Sequence, residues 1–360
     1  MGRPQRAGCR YRAAHSESRA LCNEWRGQTT APAHEGDVMS WIPTGRSLLS
    51  RMASAVVPVV RYVRQNTRGW PAKLAVLTAL KGLRRIHGPR DFVVRTSWGF
   101  RFSGNTADLV HGAVYAVGVW EPSLTAWLQS RLVAGDVFVD VGANAGYFTL
   151  LGAACVGATG GVVAIEASPR NFELLQRNLS LNPAANVRAV NMALADEDCT
   201  VKIYPPDAGN SGTAMTWRDE RRGRAPESEV PGRRLVDLLT REEAARARVI
   251  KVDVEGAEGC LESGLDELLE RCHPEVAFVV EFDPKLFHLQ GRDPARFLAR
   301  FMNAGFALYT LDNHSVEPYW EGPRDMAPAE PGQVLAEGIV DLIFVRDSVA
   351  GASRAPRHVG

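Results

Sequence analysis

The 360-residue sequence contains no C-x-x-C pair and no H-E-x-x-H, and its six cysteines and eight histidines are scattered along the chain. Disulfide frameworks and zinc sites depend on close spacing of such residues, so buried reduced thiols in a reducing cytoplasm are expected and no metal is assigned. No apolar run approaches the roughly 20 residues that cross a bilayer. Residues 1–38 also lack apolar periodicity and any stretch suited to a secretory leader, and they read as disordered. Acidic residues are absent between Val38 and Arg90, where ten basic residues interleave with Trp41, Leu48, Leu49, Val56, Val57, Val59, Val60, Trp70 and Leu77. Such a segment can rest on an anionic membrane surface, or it can pack on an acidic body.

The body is acidic. Residues 1–90 carry 16 Lys and Arg against four Asp and Glu, whereas the rest carry 26 against 37. That surface is poor for neutralising phosphates, so no nucleic-acid partner is expected. The chain divides into a basic N-terminal extension (1–90), a body (91–345) and a flexible C-terminal tail (346–360). Its oligomeric state is left open.

From Asp136 onward, short apolar runs alternate with helical stretches, the pattern of a parallel sheet built from βαβ units. Seven strands are predicted at Val137–Val141, Val162–Ile165, Val187–Val190, Val249–Val254, Val276–Phe282, Phe306–Leu311 and Ile339–Val345. A helix over about Tyr147–Val156 joins the first two. After the second, Ser168 and Pro169 supply an N-cap and a first-turn proline; Phe172, Leu175 and Leu179 share one helix face, and Asn182-Pro183 ends it. The expected fold is α/β, a doubly wound, Rossmann-like sheet.

The first strand runs into Asp140-Val-Gly142-Ala-Asn144-Ala-Gly146-Tyr-Phe148. An acidic strand end followed by spaced glycines and a helix start marks a small-molecule site, although Gly142 and Gly146 also suit a tight turn alone. The spacing is not G-x-G-x-x-G. A carboxylate at Asp140 would also repel the pyrophosphate that a dinucleotide brings to a helix N-terminus. S-adenosylmethionine offers an ammonium and a sulfonium instead, which Asp140 attracts, so this cofactor is favoured over NAD. Glu166 closes the second strand, 26 residues after Asp140, where an acid accepts hydrogen bonds from an adenosine ribose. Its other possible role is a favourable charge near the next helix start.

A second acidic motif is Lys251-Val-Asp253-Val-Glu255-Gly-Ala-Glu258. A parallel strand covered on both faces should be apolar, yet Lys251, Asp253 and Glu255 share one face. Polar groups at a strand's carboxyl end point into the ligand crevice. Glu258 and Glu262 read as first-turn charges of the following helix, which Arg271, His273 and Pro274 end. Asp253 has no such role, and its burial without a partner would be costly. The polar stretch from Asp207 to Glu229 interrupts the alternation. Within it, Asn210-Ser-Gly-Thr213 is a candidate lid and Arg218–Arg222 a solvated charge run.

Asp140–Phe148, Glu166 with Pro169 and Asn171–Leu175, and Lys251–Glu258 together resemble FkbM-family methyltransferases. Gly118-Val-Trp-Glu121, Asn186–Leu194 and Asn210–Gly212 extend the likeness over roughly Asp91–Val345. The resemblance implies S-adenosylmethionine-dependent O-methylation of a sugar, glycan or natural product on a seven-strand sheet. It sets Asp140, Gly142, Asn144 and Gly146 around the methionine part, Glu166 at the ribose and Asn191–Ala193 on the adenine side. Glu121 and Asn171 join the cofactor-binding positions, and Asp253 and Glu255 face the transferred methyl. Either of these two carboxylates serves as general base toward the acceptor or as cofactor anchor. The rival readings are an NAD-dependent oxidoreductase and a non-catalytic, membrane-associated module that retains an adenosyl pocket.

Overall fold

The computed structural model describes residues 57, 59–63, 67, 89–183, 185–205, 225–315 and 317–346. The chain divides into two units, Met1–Ile42 and Pro43–Gly360, and every described residue belongs to the second. The candidate lid Asn210–Thr213, the Arg218–Arg222 run, most of the basic arm and the tail from 347 lie outside the described residues.

An antiparallel hairpin, β1 (Asp91–Arg95) and β2 (Arg101–Asn105), precedes helices α1 (Leu109–Val117) and α2 (Pro122–Arg131). The winding then runs β3 (Val137–Val141), α3 (Tyr147–Val156), β4 (Gly161–Ile165), α4 (Pro169–Ser180) and β5 (Val187–Val190). A small sheet of β6 (Ala193–Leu194), β7 (Cys199–Ile203) and β8 (Ser228–Arg233) follows, ordered β6-β8-β7. Short helices α5 (Leu235–Leu238) and α6 (Arg241–Arg246) lead into β9 (Ala247–Val252). A 3₁₀ turn at Glu258–Glu262 and α7 (Leu265–Arg271) lead into β10 (Ala277–Phe282). Next come α8 (Pro284–Leu289), α9 (Pro294–Asn303), β11 (Phe306–Leu311) and α10 (Pro318–Glu321). The last elements are β12 (Ala327–Pro328), α11 (Pro331–Ala336) and β13 (Val340–Arg346).

The main sheet has eight strands ordered β12-β11-β13-β10-β9-β3-β4-β5. Neighbours from β5 to β10 are parallel, and β13 inserts antiparallel between β10 and β11. Seven of the eight are the strands expected from sequence alternation; the two-residue β12 is too short to leave a periodic signal. Strand order reverses between β3 and β9, and ligands of such sheets bind in the crevice outside the strand ends there.

Alternate residues of each strand feed two cores. Phe138, Val249, Val279 and Ile343 group with Leu124 and Leu128 of α2 and with Leu150 and Leu151 of α3. Val139, Ile250, Val280 and Leu342 group with Leu265 of α7 and with Phe297 and Phe301 of α9. Both faces are therefore covered, which is why these strands read as nearly continuous apolar runs.

Two expectations change. The helix after the second acidic motif is broken, because Gly264 at φ 80 starts α7 afresh beyond the 3₁₀ turn. Glu258 stands in the first turn of the 3₁₀ segment, as expected, and is also a loop clamp: its buried Oε1 accepts from the N–H groups of Val254 (3.0 Å) and Gly256 (3.1 Å). The packed body also reaches upstream of Asp91. Val57 and Val60, 2% and 3% exposed, join the core with α1, α2 and α3. Arg61 donates to the carbonyls of Val114 (2.8 Å) and Tyr115 (2.6 Å), while Val59 and Tyr62 face solvent. Part of the basic arm is therefore built into the fold. No helix among the described residues is long and apolar enough to cross a membrane.

The hairpin is fastened by two asparagines. Asn178 accepts from Ser103 N–H (2.6 Å) and donates to the carbonyls of Ser103 (3.0 Å) and Ala145 (2.7 Å). Asn182 accepts from Arg101 N–H and donates to its carbonyl, both at 2.7 Å. These side chains satisfy the strand edge as a neighbouring strand would.

Candidate active site

A cavity of about 400 Å³ opens at the carboxyl ends of β3, β4 and β9, where the strand order reverses. Among the described residues its wall holds five carboxylates, Glu121, Glu166, Asp253, Glu255 and Glu281, against one ammonium, Lys251. The predicted positions Gly142, Asn144 and Asn171 line it too.

Gly142 has φ 83, and its N–H and that of Ala143 donate to the Ile165 carbonyl at 2.8 and 3.0 Å. A Cβ at Gly142 would lie 1.7 Å from the Asp253 carbonyl oxygen. Glycine is needed there because the two acidic loops touch; Asp253 N–H donates back to the Val141 carbonyl at 3.0 Å. Gly146, at φ 89, does not reach the cavity, and a Cβ on it would meet Leu175 Cδ1 at 2.6 Å. Its smallness lets α3 pack against α4.

The three non-glycine residues with left-handed backbone among the described residues are Glu121 (φ 41), Asn144 (φ 49) and Glu255 (φ 53), and all three line this cavity. Each such conformation costs about 1–3 kcal/mol and persists only where its surroundings hold it. Asn144 N–H donates to Glu166 Oε2 at 2.7 Å, and Glu121 N–H to the Tyr319 hydroxyl at 3.3 Å. Glu255 sits between the two N–H groups gripped by Glu258. Glu166 also accepts from Ser168 N–H through Oε1 at 2.8 Å. Burial pushes Glu166 up to about 7 against the pull of those two backbone donors. Burial likewise brings Glu258 to about 7.

Other predicted positions stand behind the wall. Asn191 donates to the carbonyls of Glu166 (2.8 Å) and Ala167 (3.1 Å), bracing the strand end. Neither it nor Ala193 lines the cavity, whereas Met192 and Leu194 do. Asp140, 1% exposed, does not line it either. Its Oδ2 accepts from the Thr149 hydroxyl at 2.6 Å, and its Oδ1 has no hydrogen-bond partner among the described residues. Asp140 is the register partner of Lys251, whose Nζ lies 2.8 Å from Asp253 Oδ2 and 5.2 Å from the Phe148 ring centre. Burial alone would depress the ammonium, but Asp253, Asp140 and Glu121 outweigh it and raise it above the ordinary lysine range. Asp140 therefore acts on Lys251 through its charge, while the hydrogen bond to the ammonium comes from Asp253.

Sequence reasoning missed Glu281, His314, Trp120 and Tyr319, all on the cavity wall. Glu281 carried a usable signal, an acid inside the apolar run of β10. His314 carried none, because it lies in a loop without a motif. Asp253, Glu255 and Glu281 offer oxygens within 4.8 Å of one another, a spacing able to hold a cation. Burial, and then repulsion by Asp253 and Glu255, raises the Glu281 carboxyl well above its ordinary range. Burial and Asp341 do the same to Glu121, against the pull of Lys251.

Residues 140–308, which span both acidic loops, match the family model of the methyltransferase FkbM domain. The chain carries an FkbM methyltransferase domain. Domains of this family take their methyl group from S-adenosylmethionine, and the matched segment winds through the Rossmann-like sheet from β3 to β11. Methyltransferase 1 of Beauveria bassiana is 32% identical over 145 residues, 36% of this chain and 58% of that protein. Methyltransferase sdnD of Sordaria araneosa is 30% identical over 165 residues, 38% of this chain and 63% of its own length. The chain thus spans less than two thirds of either relative. A solved SAM-dependent O-methyltransferase from Thermotoga maritima aligns over 76% of this chain and 81% of its own, at 16% identity and a TM-score of 0.31.

Proposed function

We propose that this protein is an S-adenosylmethionine-dependent O-methyltransferase acting on a hydroxyl of a sugar, glycan or natural product. The reading is carried by a cavity at the switch point whose wall holds five carboxylates against one lysine. A cofactor with an ammonium and a sulfonium relieves the repulsion among those acids, whereas the phosphates of NAD would add to it.

The residues present fit that cofactor. Each oxygen of Glu166 has one backbone donor and keeps a second lone-pair site for a ribose hydroxyl. Asp253 and Glu255, on the loop packed against Gly142, suit the cationic centres, and Met192 and Leu194 offer an apolar wall to the adenine. When bound, S-adenosylmethionine supplies a methyl group activated by its positive sulfur. The protein's part is alignment, for which proximity can contribute about 7–11 kcal/mol. The three pinned left-handed residues supply the necessary rigidity. Because Asp253 Oδ2 is engaged by the Lys251 ammonium, Asp253 is assigned to holding positive charge.

Trp120 and Tyr319 beside Glu121 and Glu281 form a wall suited to stacking on a ring face and bonding hydroxyls, which favours a sugar or a hydroxylated natural product. Any contact of residues 38–90 with an anionic membrane would use basic side chains together with Val59 and Tyr62, since Val57 and Val60 are buried. Calorimetry with S-adenosylmethionine, its product S-adenosylhomocysteine and NAD tests the cofactor; binding of NAD alone would overturn it. Labelled methyl transfer to methyl glycosides and to phenols tests the acceptor, and label on neither class refutes O-methylation.

A further inference from the structure

A hydroxyl acceptor must lose its proton, and the loop after β11 brings an unassigned imidazole to the same cavity. His314 lines the wall, and its Nε2 lies 3.5 Å from Oδ2 of Asp341, a β13 carboxylate that is 7% exposed. Asp341 Oδ2 also accepts from Asn313 Nδ2 at 2.9 Å, while Asn313 Oδ1 accepts from Leu124 N–H at 3.1 Å. Asp312 secures the other side of the loop, accepting from the N–H (3.2 Å) and hydroxyl (2.7 Å) of Ser315 and pairing with Arg324. The segment carrying His314 is thus tied to α2, to the sheet and to the stretch after α10.

We propose that His314, oriented by Asp341, takes the proton of the acceptor hydroxyl, an inference that rests on the methyltransferase reading above. With Nε2–H turned toward Asp341, Nδ1 keeps the free lone pair. The acceptor oxygen exchanges its proton for a methyl group: the O–CH₃ bond forms as the donor's S–CH₃ bond breaks, the sulfur keeps the electron pair, and the proton passes to Nδ1. The imidazolium so formed is stabilised by the Asp341 carboxylate behind it, the logic of a base held by a buried acid.

The placement agrees with this division of labour. Asp341 is the register partner of Glu281 on β10, so His314 and Asp341 lie by a strand two places from β9, on the opposite flank of the switch point from Glu166, which follows β4. Ribose recognition and proton acceptance then fall at opposite ends of the cavity, with the Asp253 loop between them. Asp253, held by Lys251, is left to face positive charge.

The test uses the full chain. The His314 side chain is 44% exposed, so His314→Asn does not threaten folding. That variant should lower labelled methyl transfer, to whichever acceptor class the parent methylates, by about 10²-fold or more. Its affinity for S-adenosylhomocysteine should stay within about twofold of the parent's, since the lost contact belongs to the transition state. Nitrogen NMR of the neutral imidazole should show His314 protonated on Nε2, with that preference lost in Asp341→Asn. A His314→Asn rate within about threefold of the parent's would overturn the proposal, as would a His314 tautomer indifferent to Asp341→Asn. A parent chain that does not bind S-adenosylhomocysteine, or methylates neither class, instead overturns the methyltransferase reading.

Discussion

Glu166→Gln keeps the shape of the side chain and removes one acceptor and one titratable charge. In the native site Oε2 takes the Asn144 N–H at 2.7 Å and Oε1 the Ser168 N–H at 2.8 Å. Glutamine has one oxygen, so one N–H must face an NH₂ group, a loss of about 1–3 kcal/mol. An opposing effect depends on pH. Burial raises Glu166 from 4.5 to about 7, so its contribution to stability is fully present below the unfolded value and is lost as pH rises through about 7. That loss approaches roughly 3 kcal/mol on the alkaline side, and glutamine does not suffer it. The variant should therefore unfold more easily than the parent near pH 5.5 and come close to it, or overtake it, near pH 8.5. Comparing the two proteins cancels the parallel behaviour of Glu258. For binding, a ribose hydroxyl that loses a charged acceptor forfeits about 1–3 kcal/mol, so S-adenosylhomocysteine should bind about 5- to 150-fold more weakly near pH 8. Thermal unfolding at both pH values and calorimetry at the higher one measure these quantities. Unchanged affinity alongside the stability changes would refute the ribose role and leave Glu166 a clamp for Asn144 and Ser168.

Gly142→Ala should cost more than about 3 kcal/mol, because its Cβ would overlap the Asp253 carbonyl oxygen. Gly305→Ala, at φ 82 with nothing within 4 Å, should pay only the left-handed penalty of about 1–2 kcal/mol; similar melting temperatures for the two would refute the packing argument. Asp253→Asn should weaken S-adenosylmethionine more than S-adenosylhomocysteine, since only the former carries a positive sulfur; equal losses in titration would shift Asp253 to the ammonium. Val60→Asp should cost several kcal/mol by burying a carboxylate, whereas Tyr62→Asp, at a position 67% exposed, should change stability by no more than about 0.5 kcal/mol. Denaturant unfolding that tolerates both equally would remove residues 57–63 from the core. Near pH 7, S-adenosylmethionine binding should release protons, because its positive charge favours ionisation of the raised carboxyls of Glu166, Glu121 and Glu281. Calorimetry in buffers of different ionisation heat would show no proton release if those acids do not meet the cofactor.

The main sheet was legible because its strands bury both faces and leave apolar runs, and α4 because Ser168 and Pro169 mark its start in type and position. Glu166 was legible as an acid at a strand end. The hairpin was not: β1 and β2 are short and partly polar, and β2 is held by Asn178 and Asn182, residues that in sequence only look like the end of a helix. Glu281 and Asp341 come together only because β13 turns antiparallel between β10 and β11, a pairing across 60 positions that no local pattern encodes. Gly142 was legible as the glycine of a turn beside a ligand site, and it is a place of close approach. What approaches is the backbone of Asp253, and a sequence cannot distinguish a ligand from a distant loop.

The same distinction bears on why this site is strained. A left-handed non-glycine residue is disfavoured, and glycine at Glu121, Asn144 or Glu255 would remove the penalty. Glycine would also remove the side chain that each of these positions presents to the cavity. The fold keeps the side chains and offsets the strain locally, through Tyr319 for Glu121, Glu166 for Asn144 and Glu258 for the loop that carries Glu255. Two of those clamps are buried glutamates raised to about 7, so rigidity in the loops is obtained by placing more acid around a cavity that is already acidic. A neutral ligand would leave that repulsion in place. A cationic one relieves it at the carboxylates that line the wall and also, at longer range, at Glu258, so affinity and rigidity rise together with the ligand's positive charge.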